Sequence, residues 1–340
     1  MLTQIKVGQF RCFEKHELHF EPGTNLITGP NARGKTSLLE AVCVLLRLQS
    51  PRAPRLAEII RHGQRGLLVD GFFEGKHLQF YFSPQRKKLA LDSVEQRSAS
   101  EYLRIGRVMW FSNTDIQLIR GSAELRRRLF DFVCVQLNPE YRAALRNYER
   151  ALRSRNILLR SPVPVWREIR AFDEPLIESA KILLEARSAF VTALRPMAQI
   201  AHAAISGARE KLDLLYAPGV EGDFPSALTA ARSEDSRLRQ TTRGPHRDDL
   251  TLQLSDMPAA LGSEGQQRTL VLALRLAAAR LLEAHFGTPP LLLLDDIFGE
   301  LDSARRSALL AHLPDNSQRI ITTTQREWLP EGIPAHWIAL

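Results

Sequence analysis

Eight residues restrict the fold of this chain more than any others. Residues 29 to 36 read Gly-Pro-Asn-Ala-Arg-Gly-Lys-Thr, between a short apolar stretch, Asn25-Leu-Ile-Thr28, and a helix-like run from Ser37 to Leu46. This is Gly-x-x-x-x-Gly-Lys-[Ser/Thr] in a strand, loop, helix context, the context that gives the motif its meaning. Gly29 and Gly34 let the backbone form a nest of N–H groups around a triphosphate, and the helix N-terminus adds its positive pole. The pattern predicts that Gly29, Pro30, Asn31, Ala32, Arg33, Gly34, Lys35, Thr36 and Ser37 bind ATP. Lys35 then reaches the β- and γ-phosphates as a catalytic cation, and the Thr36 hydroxyl holds Mg2+. The plainer reading is a Gly-rich turn before an ordinary helix, but every fixed position is filled and both flanks fit.

A chain of 340 residues can bury a large core and suggests two domains, or one with a big insertion. With 25% charged and 44% hydrophobic residues it has the composition of a soluble globular protein. The N-terminus lacks a basic segment followed by an apolar one, and the longest apolar runs are too short to cross a bilayer. A cytoplasmic location is expected. Cys12, Cys43 and Cys134 are far apart and form no C-x-x-C, so neither a zinc site nor a disulfide framework is indicated. They read as buried small apolar residues. The formal charge is +8, which suits a polyanionic partner. Between Arg104 and Arg160 twelve arginines face only five acidic residues, so nearly all of the excess lies there.

Strand patterns fill the first hundred residues: Thr3 to Val7, Glu17 to Phe20, Asn25 to Thr28, Gly66 to Phe73, His77 to Phe82 and Lys87 to Asp92. From Ser122 to Arg209 apolar residues recur at helical spacing, and Pro162 and Pro164 divide that block. From Leu250 the chain returns to strand, helix, strand. Leu291-Leu-Leu-Leu-Asp-Asp296 reads as a strand buried on both faces of a parallel sheet, with its acids at the carboxyl end where such sheets bind ligands. This Walker-B pattern assigns Asp295 to the Mg2+ shell and Asp296 to polarising an attacking water. Alone it is a weak match, since apolar strands often end in Asp.

Ser263-Glu-Gly-Gln-Gln267 precedes an apolar helix, and Gly299-Glu-Leu-Asp302 follows the Walker-B strand. In this order they resemble the signature motif and D-loop of ATP-binding-cassette ATPases. Roughly 260 residues separate Lys35 from Asp295, so the head is split by an insertion, as in the group that includes the SMC proteins. No sustained seven-residue repeat fills the gap, which excludes a long coiled-coil arm. The expected fold is α/β: an ABC-type P-loop ATPase head, a mixed sheet with central parallel strands, split by a mostly helical second lobe. Residues 1–115 are expected to form the N-terminal part of the head, 116–234 the basic helical lobe, and 235–340 the C-terminal part of the head.

With these residues in view the chain resembles the RecF family over essentially its full length. Beyond the P-loop, the strings Phe111-Ser-Asn-Thr-Asp-Ile116, Arg126-Arg-Arg-Leu-Phe-Asp131, Thr242-Arg-Gly-Pro-His-Arg-Asp-Asp-Leu250 and Gly265-Gln-Gln-Arg-Thr269 carry the likeness. A generic cassette ATPase has neither of the last two. The resemblance implies an ATP-dependent homodimer in which Ser263, Gly265 and Gln266 meet the γ-phosphate held by the other protomer, with Thr324 at the switch position. It also implies binding to DNA at single-strand to double-strand junctions, partnership with RecR and RecO, and help in loading RecA on gapped DNA. Departures are Ala32-Arg33, where the family usually has Gly-Gln or a similar pair; Asn113-Thr114, in place of a Pro and an acid; and Glu264, commonly Gln. A second reading keeps the ATP-bound scaffold and makes turnover negligible. A nuclease-associated ATPase requires a further acidic, metal-binding domain after the head, and none is expected. His246, Arg247, Asp248 and Asp249 are expected to couple structure rather than catalyse.

Overall fold

The computed structural model describes residues 1–324 and 334–340. They form two compact units: Met1–Asp115, Ala204–Ser206 and Leu272–Leu340 in the first, Ile116–Ala203 and Gly207–Val271 in the second.

The first unit holds two sheets. One is antiparallel, with Phe13–His19, Leu2–Phe10, Leu67–Phe73, Lys76–Phe82, Lys87–Leu91 and Val94–Glu95 side by side. The other is wholly parallel, in the order Ala335–Ala339, Thr24–Thr28, Arg319–Thr323, Leu291–Asp295, Val108–Ser112. Parallel strands covered on both faces need apolar side chains throughout, and Leu291 to Leu294 are 0–3% exposed. Full burial contributes ~1.5–3 kcal/mol per leucine. The helix Lys35–Arg47 packs against strands of both sheets and buries nearly every side chain it carries. An amphipathic helix cannot occupy such a slot, which explains the run Leu38-Leu-Glu-Ala-Val-Cys-Val-Leu-Leu46. Its one acid, Glu40, lies fully buried on a bidentate bond from Arg11 (2.8 and 2.9 Å).

The second unit combines the helices Ala123–Leu137, Tyr141–Leu159 and all but the last three residues of Asp173–Ser206 with shorter ones and a three-stranded sheet of Met257–Pro258, Asp249–Leu254 and Leu212–Ala217. Residues 235–271 belong to this unit, whereas the sequence reading grouped them with the C-terminal part of the head. The reason is pairing: Asp249–Leu254 runs antiparallel to Leu212–Ala217, and ion pairs fix the preceding loop to the helices of the same unit. Arg155, with no exposed surface, donates to Asp235 (2.7 Å), Thr241 (2.7 Å) and Asp173 (3.3 Å). Arg187 donates to Asp131 and Asp248 (both 2.7 Å) and to the Pro245 carbonyl, also at 2.7 Å. Asp248 accepts further from the Tyr216 hydroxyl (2.6 Å) and the Gly219 N–H (2.7 Å), so both oxygens of the buried carboxylate are engaged.

His246 sits in the same network. Its Nε2 is 2.9 Å from the Thr241 carbonyl, which can only accept, so Nε2 carries the proton and Nδ1 accepts from the Tyr148 hydroxyl at 2.7 Å. Both nitrogens are committed with the ring neutral, and burial pushes its pKa down to about 4 from an ordinary 6.5. This is the wiring of a structural histidine.

Removing one member of the buried pair exposes its energetics. Asp235→Ala should lower unfolding stability by ~3–5 kcal/mol in urea, because Arg155 is left with too little compensation. A pH dependence follows from His246. Below pH 6.5 the unfolded chain takes up a proton that the folded ring refuses until about pH 4. Stability attributable to this group therefore falls as pH drops through that window, by up to ~3 kcal/mol. Unfolding midpoints between pH 7.5 and 5 should decline more steeply for the native chain than for His246→Gln.

Candidate nucleotide site

Strand Thr24–Thr28 runs into a loop that ends at Gly34, where the helix begins. Gly34 has φ 96°, and a Cβ there would lie 2.5 Å from the Phe13 ring and 2.7 Å from Cys12 Sγ. Only glycine fits. A Cβ at Gly29 would meet the Leu340 carbonyl at 2.7 Å, since the last strand pairs alongside the one that feeds the loop. Between them Ala32 is left-handed at φ 65° without being a glycine.

A cleft of about 320 Å³ opens at this loop, lined by Asn31, Ala32, Gly34 to Ser37, Asp295, Asp296 and Thr322, together with Cys12 and Arg52. Lys35 Nζ donates to the carbonyls of Gly29 (2.6 Å) and Pro30 (2.9 Å), which holds the ammonium over the loop with one donor to spare. Asp295 Oδ1 accepts from Thr36 and Thr322 hydroxyls, each at 2.8 Å. Burial raises the Asp295 pKa, and those two hydroxyls and the Arg52 charge oppose the rise. Asp296 is also raised by burial, with Lys35 opposing. Its backbone is left-handed at φ 52°, pinned by its N–H to Thr322 Oγ1 (3.0 Å) and by its carbonyl from Asn113 Nδ2 (2.7 Å).

The structure therefore brings Gly29 to Ser37, Asp295 and Asp296 together. Thr36 and Asp295 offer adjacent oxygens and no sulfur or nitrogen, a donor set that suits Mg2+ completed by phosphate and water oxygens. Thr324 lies outside this cleft. It lines a neighbouring one of about 500 Å³ with Thr28 to Asn31, Ala339 and Leu340, and the threonine bonded to the Asp295 carboxylate is Thr322. Arg52 escaped the sequence reading. Its guanidinium lies 3.4 Å from Glu40 at the cleft wall, and no local spacing links the two. Cys43 and Cys134 are buried as expected, but Cys12 is exposed, because it sits on a hairpin turn above the loop.

Ser263, Gly265 and Gln266 belong to the second unit, at the start of the helix Glu264–Phe286. Ser263 and Gln266 form a reciprocal capping box. Gln266 N–H donates to Ser263 Oγ (3.3 Å), and Ser263 N–H donates to Gln266 Oε1 (2.6 Å). Glu264 pairs with Arg268, which donates at 2.6 Å and, with Arg120 nearby, holds the carboxyl below its usual range. In the D-loop, Asp302 caps the helix Ser303–His312 through Arg305 N–H at 2.8 Å.

Residues 1–334 match the RecF/RecN/SMC N terminal domain family. A DNA replication and repair protein RecF from Symbiobacterium thermophilum is 35% identical over 351 residues, covering 96% of this chain and 94% of its own. One from a Cyanothece species is 36% identical over 343 residues, covering 95% and 91%. A solved structure of the recombination mediator protein RecF with ATP in the RecFOR pathway superposes with a TM-score of 0.86 at 28% identity, over 97% of this chain and 93% of that one. An SMC head, at 16% identity and TM-score 0.54 over 96% and 90%, shares the fold. The chain is a member of the RecF family, built on the ABC-type ATPase head.

Proposed function

We propose that this protein is a RecF-type recombination mediator: ATP joins two copies, the dimer binds DNA at single-strand to double-strand junctions, and hydrolysis releases it. The observation that carries the reading is the cleft in which Lys35, Thr36, Asp295 and Asp296 converge. The loop N–H groups and Lys35 bind the β- and γ-phosphates; Thr36 and Asp295 hold Mg2+, which neutralises phosphate charge when bound. Asp296 orients the water that attacks the γ-phosphorus as its bond to the bridging oxygen breaks, giving ADP and phosphate. Burial raises the Asp296 pKa, with Lys35 opposing, which strengthens the carboxylate as an acceptor for that water. Ser263 and the Gly265 backbone of a second copy complete the γ-phosphate site. Ser263 Oγ already accepts from Gln266, so its own hydrogen is left to donate.

The arginine-rich stretch supports DNA as the partner once its internal duties are subtracted. Arg155 is buried in the ion-pair network, Arg126 pairs with Asp249 at 2.6 Å, Arg128 with Glu124, Arg120 donates to Gln267, and Arg107 stacks on the Phe286 ring. Arg104, Arg146, Arg150, Arg153 and Arg160 remain exposed. On the helix Tyr141–Leu159 the spacing of Arg142, Arg146, Arg150 and Arg153 makes one face, opposite buried Tyr141, Ala144, Tyr148 and Ala151. A basic ridge on a rigid helix follows a phosphate backbone. Partnership with RecO and RecR, RecA loading, DNA-stimulated turnover and a cytoplasmic location complete the reading and rest on the family.

Three variants test it. Lys35→Ala should abolish ATP binding in a titration. Ser263→Arg should bind ATP normally yet stay monomeric in light scattering with ATP and Mg2+; normal dimerisation would defeat the shared-site reading. Converting Arg146, Arg150 and Arg153 together to alanine should flatten the log–log salt dependence of duplex binding by about three units. Phosphate release with and without gapped DNA separates a working ATPase from an ATP-bound scaffold.

A further inference from the structure

We infer that Glu210 is a positioning residue for the signature serine, acting through Gln266. The inference rests on the reading that Ser263 meets a phosphate held by a second copy, and it extends that site to a residue outside every recognised motif.

Glu210 lies between the helix Asp173–Ser206 and the strand Leu212–Ala217. Its Oε1 accepts from Gln266 Nε2 at 2.8 Å. Gln266 Oε1 accepts from the Ser263 N–H at 2.6 Å, and Ser263 Oγ accepts from the Gln266 N–H at 3.3 Å. An amide side chain can present either end, and the two ends are close in shape. Here Glu210 decides which end faces the serine. A carboxylate accepts only, so it draws the NH2 group and turns the carbonyl toward the Ser263 N–H. With the amide reversed, an NH2 group would face an N–H, and the capping box would lose one of its two bonds.

The consequence reaches the hydroxyl. The intact box holds Ser263 Oγ as an acceptor, which directs its hydrogen outward as a donor. Glu210 is itself anchored by its neighbour: Ser255 N–H donates to the Lys211 carbonyl at 2.8 Å, where Leu212–Ala217 pairs with Asp249–Leu254. The signature turn is thus referenced to the sheet of its own unit. The buried His202 ring feels the Glu210 charge, but toward Gln266 the carboxylate serves as an acceptor, a role that does not require the charge. A glutamine at 210 presents the same acceptor oxygen, which makes the conservative variant a rescue.

The experiment measures ATP affinity and ATP-driven dimerisation for Glu210→Ala, Glu210→Gln, Gln266→Ala and the Glu210→Ala/Gln266→Ala double variant, with Ser263→Arg as reference. Losing one oriented hydrogen bond should weaken dimerisation by about tenfold in Glu210→Ala. ATP affinity of the single head and the urea midpoint should be unchanged. Glu210→Gln should dimerise within about twofold of the native chain, and the double variant should be no weaker than Gln266→Ala. Native-like dimerisation of Glu210→Ala while Ser263→Arg fails would overturn this inference and leave the proposed function standing. Equal loss in Glu210→Gln and Glu210→Ala would overturn it too. Normal dimerisation of Ser263→Arg would remove the underlying reading, and this inference with it.

Discussion

The head is organised around one carboxylate oxygen. Asp295 Oδ1 accepts from Thr36 on the P-loop helix and from Thr322 on the adjacent parallel strand, both at 2.8 Å. Three elements far apart in sequence are thereby tied at the carboxyl edge of the sheet, where doubly covered parallel strands expose their only polar ends. Thr322 does more, because it also accepts the Asp296 N–H and so carries the second acid. A single hydroxyl thus fixes the placement of both acids.

The second unit is held differently. Arg155 and Arg187 are almost fully buried and each meets two aspartates, so the unit stakes its register on ion pairs rather than on apolar packing alone. Such pairs stabilise little against a hydrophobic alternative, but they penalise any arrangement that separates the partners. This accounts for the Thr242–Leu250 string as a structural element. Gly244 has φ 133°, and a Cβ there would lie 2.3 Å from the Tyr148 hydroxyl that holds His246, so the glycine and the histidine are fixed by the same neighbour. It also divides the arginines into two populations, those tied into ion pairs within the unit and those, such as the ridge on Tyr141–Leu159, that face outward.

Much of the head was legible because its signals are local. The P-loop needs only eight consecutive residues, and four leucines before two acids announce a buried parallel strand by composition alone. Val108–Ser112 and Ala335–Ala339 gave no such announcement: the first has only four apolar residues before Ser112, too short a run to tell a strand from a buried helix segment, and the second is an edge strand with exposed Trp337. Residues 235–271 were grouped with the head because Asp249–Leu254 reads as a strand of unknown partner, and strand pairing is not encoded in spacing. Arg52, Thr322 and Asn113 were missed for one reason. Each acts through a partner between 12 and 183 positions away, and nothing in a single sequence marks such a pair. Gln266, which the family resemblance makes a phosphate ligand, has both ends of its amide engaged within the chain, a pairing that spacing does not announce.

Asn113 turns a departure from the family pattern into an explanation. The usual residue at this position is a proline, which has no side-chain donor. Here Asn113 Nδ2 donates to the Asp296 carbonyl at 2.7 Å. Asp296 is a left-handed non-glycine, a conformation that costs ~1–2 kcal/mol and persists only where the surroundings over-determine it. Thr322 restrains the residue on its N–H side and Asn113 on its carbonyl side, so both peptide groups flanking the strained Cα are fixed. An extended Asp296 would have to surrender both bonds, each worth ~1 kcal/mol, and the strain is therefore offset by contacts specific to that geometry. The Asp296 carboxylate is thus held at the cleft by its backbone, which leaves its side-chain oxygens for the role proposed for them.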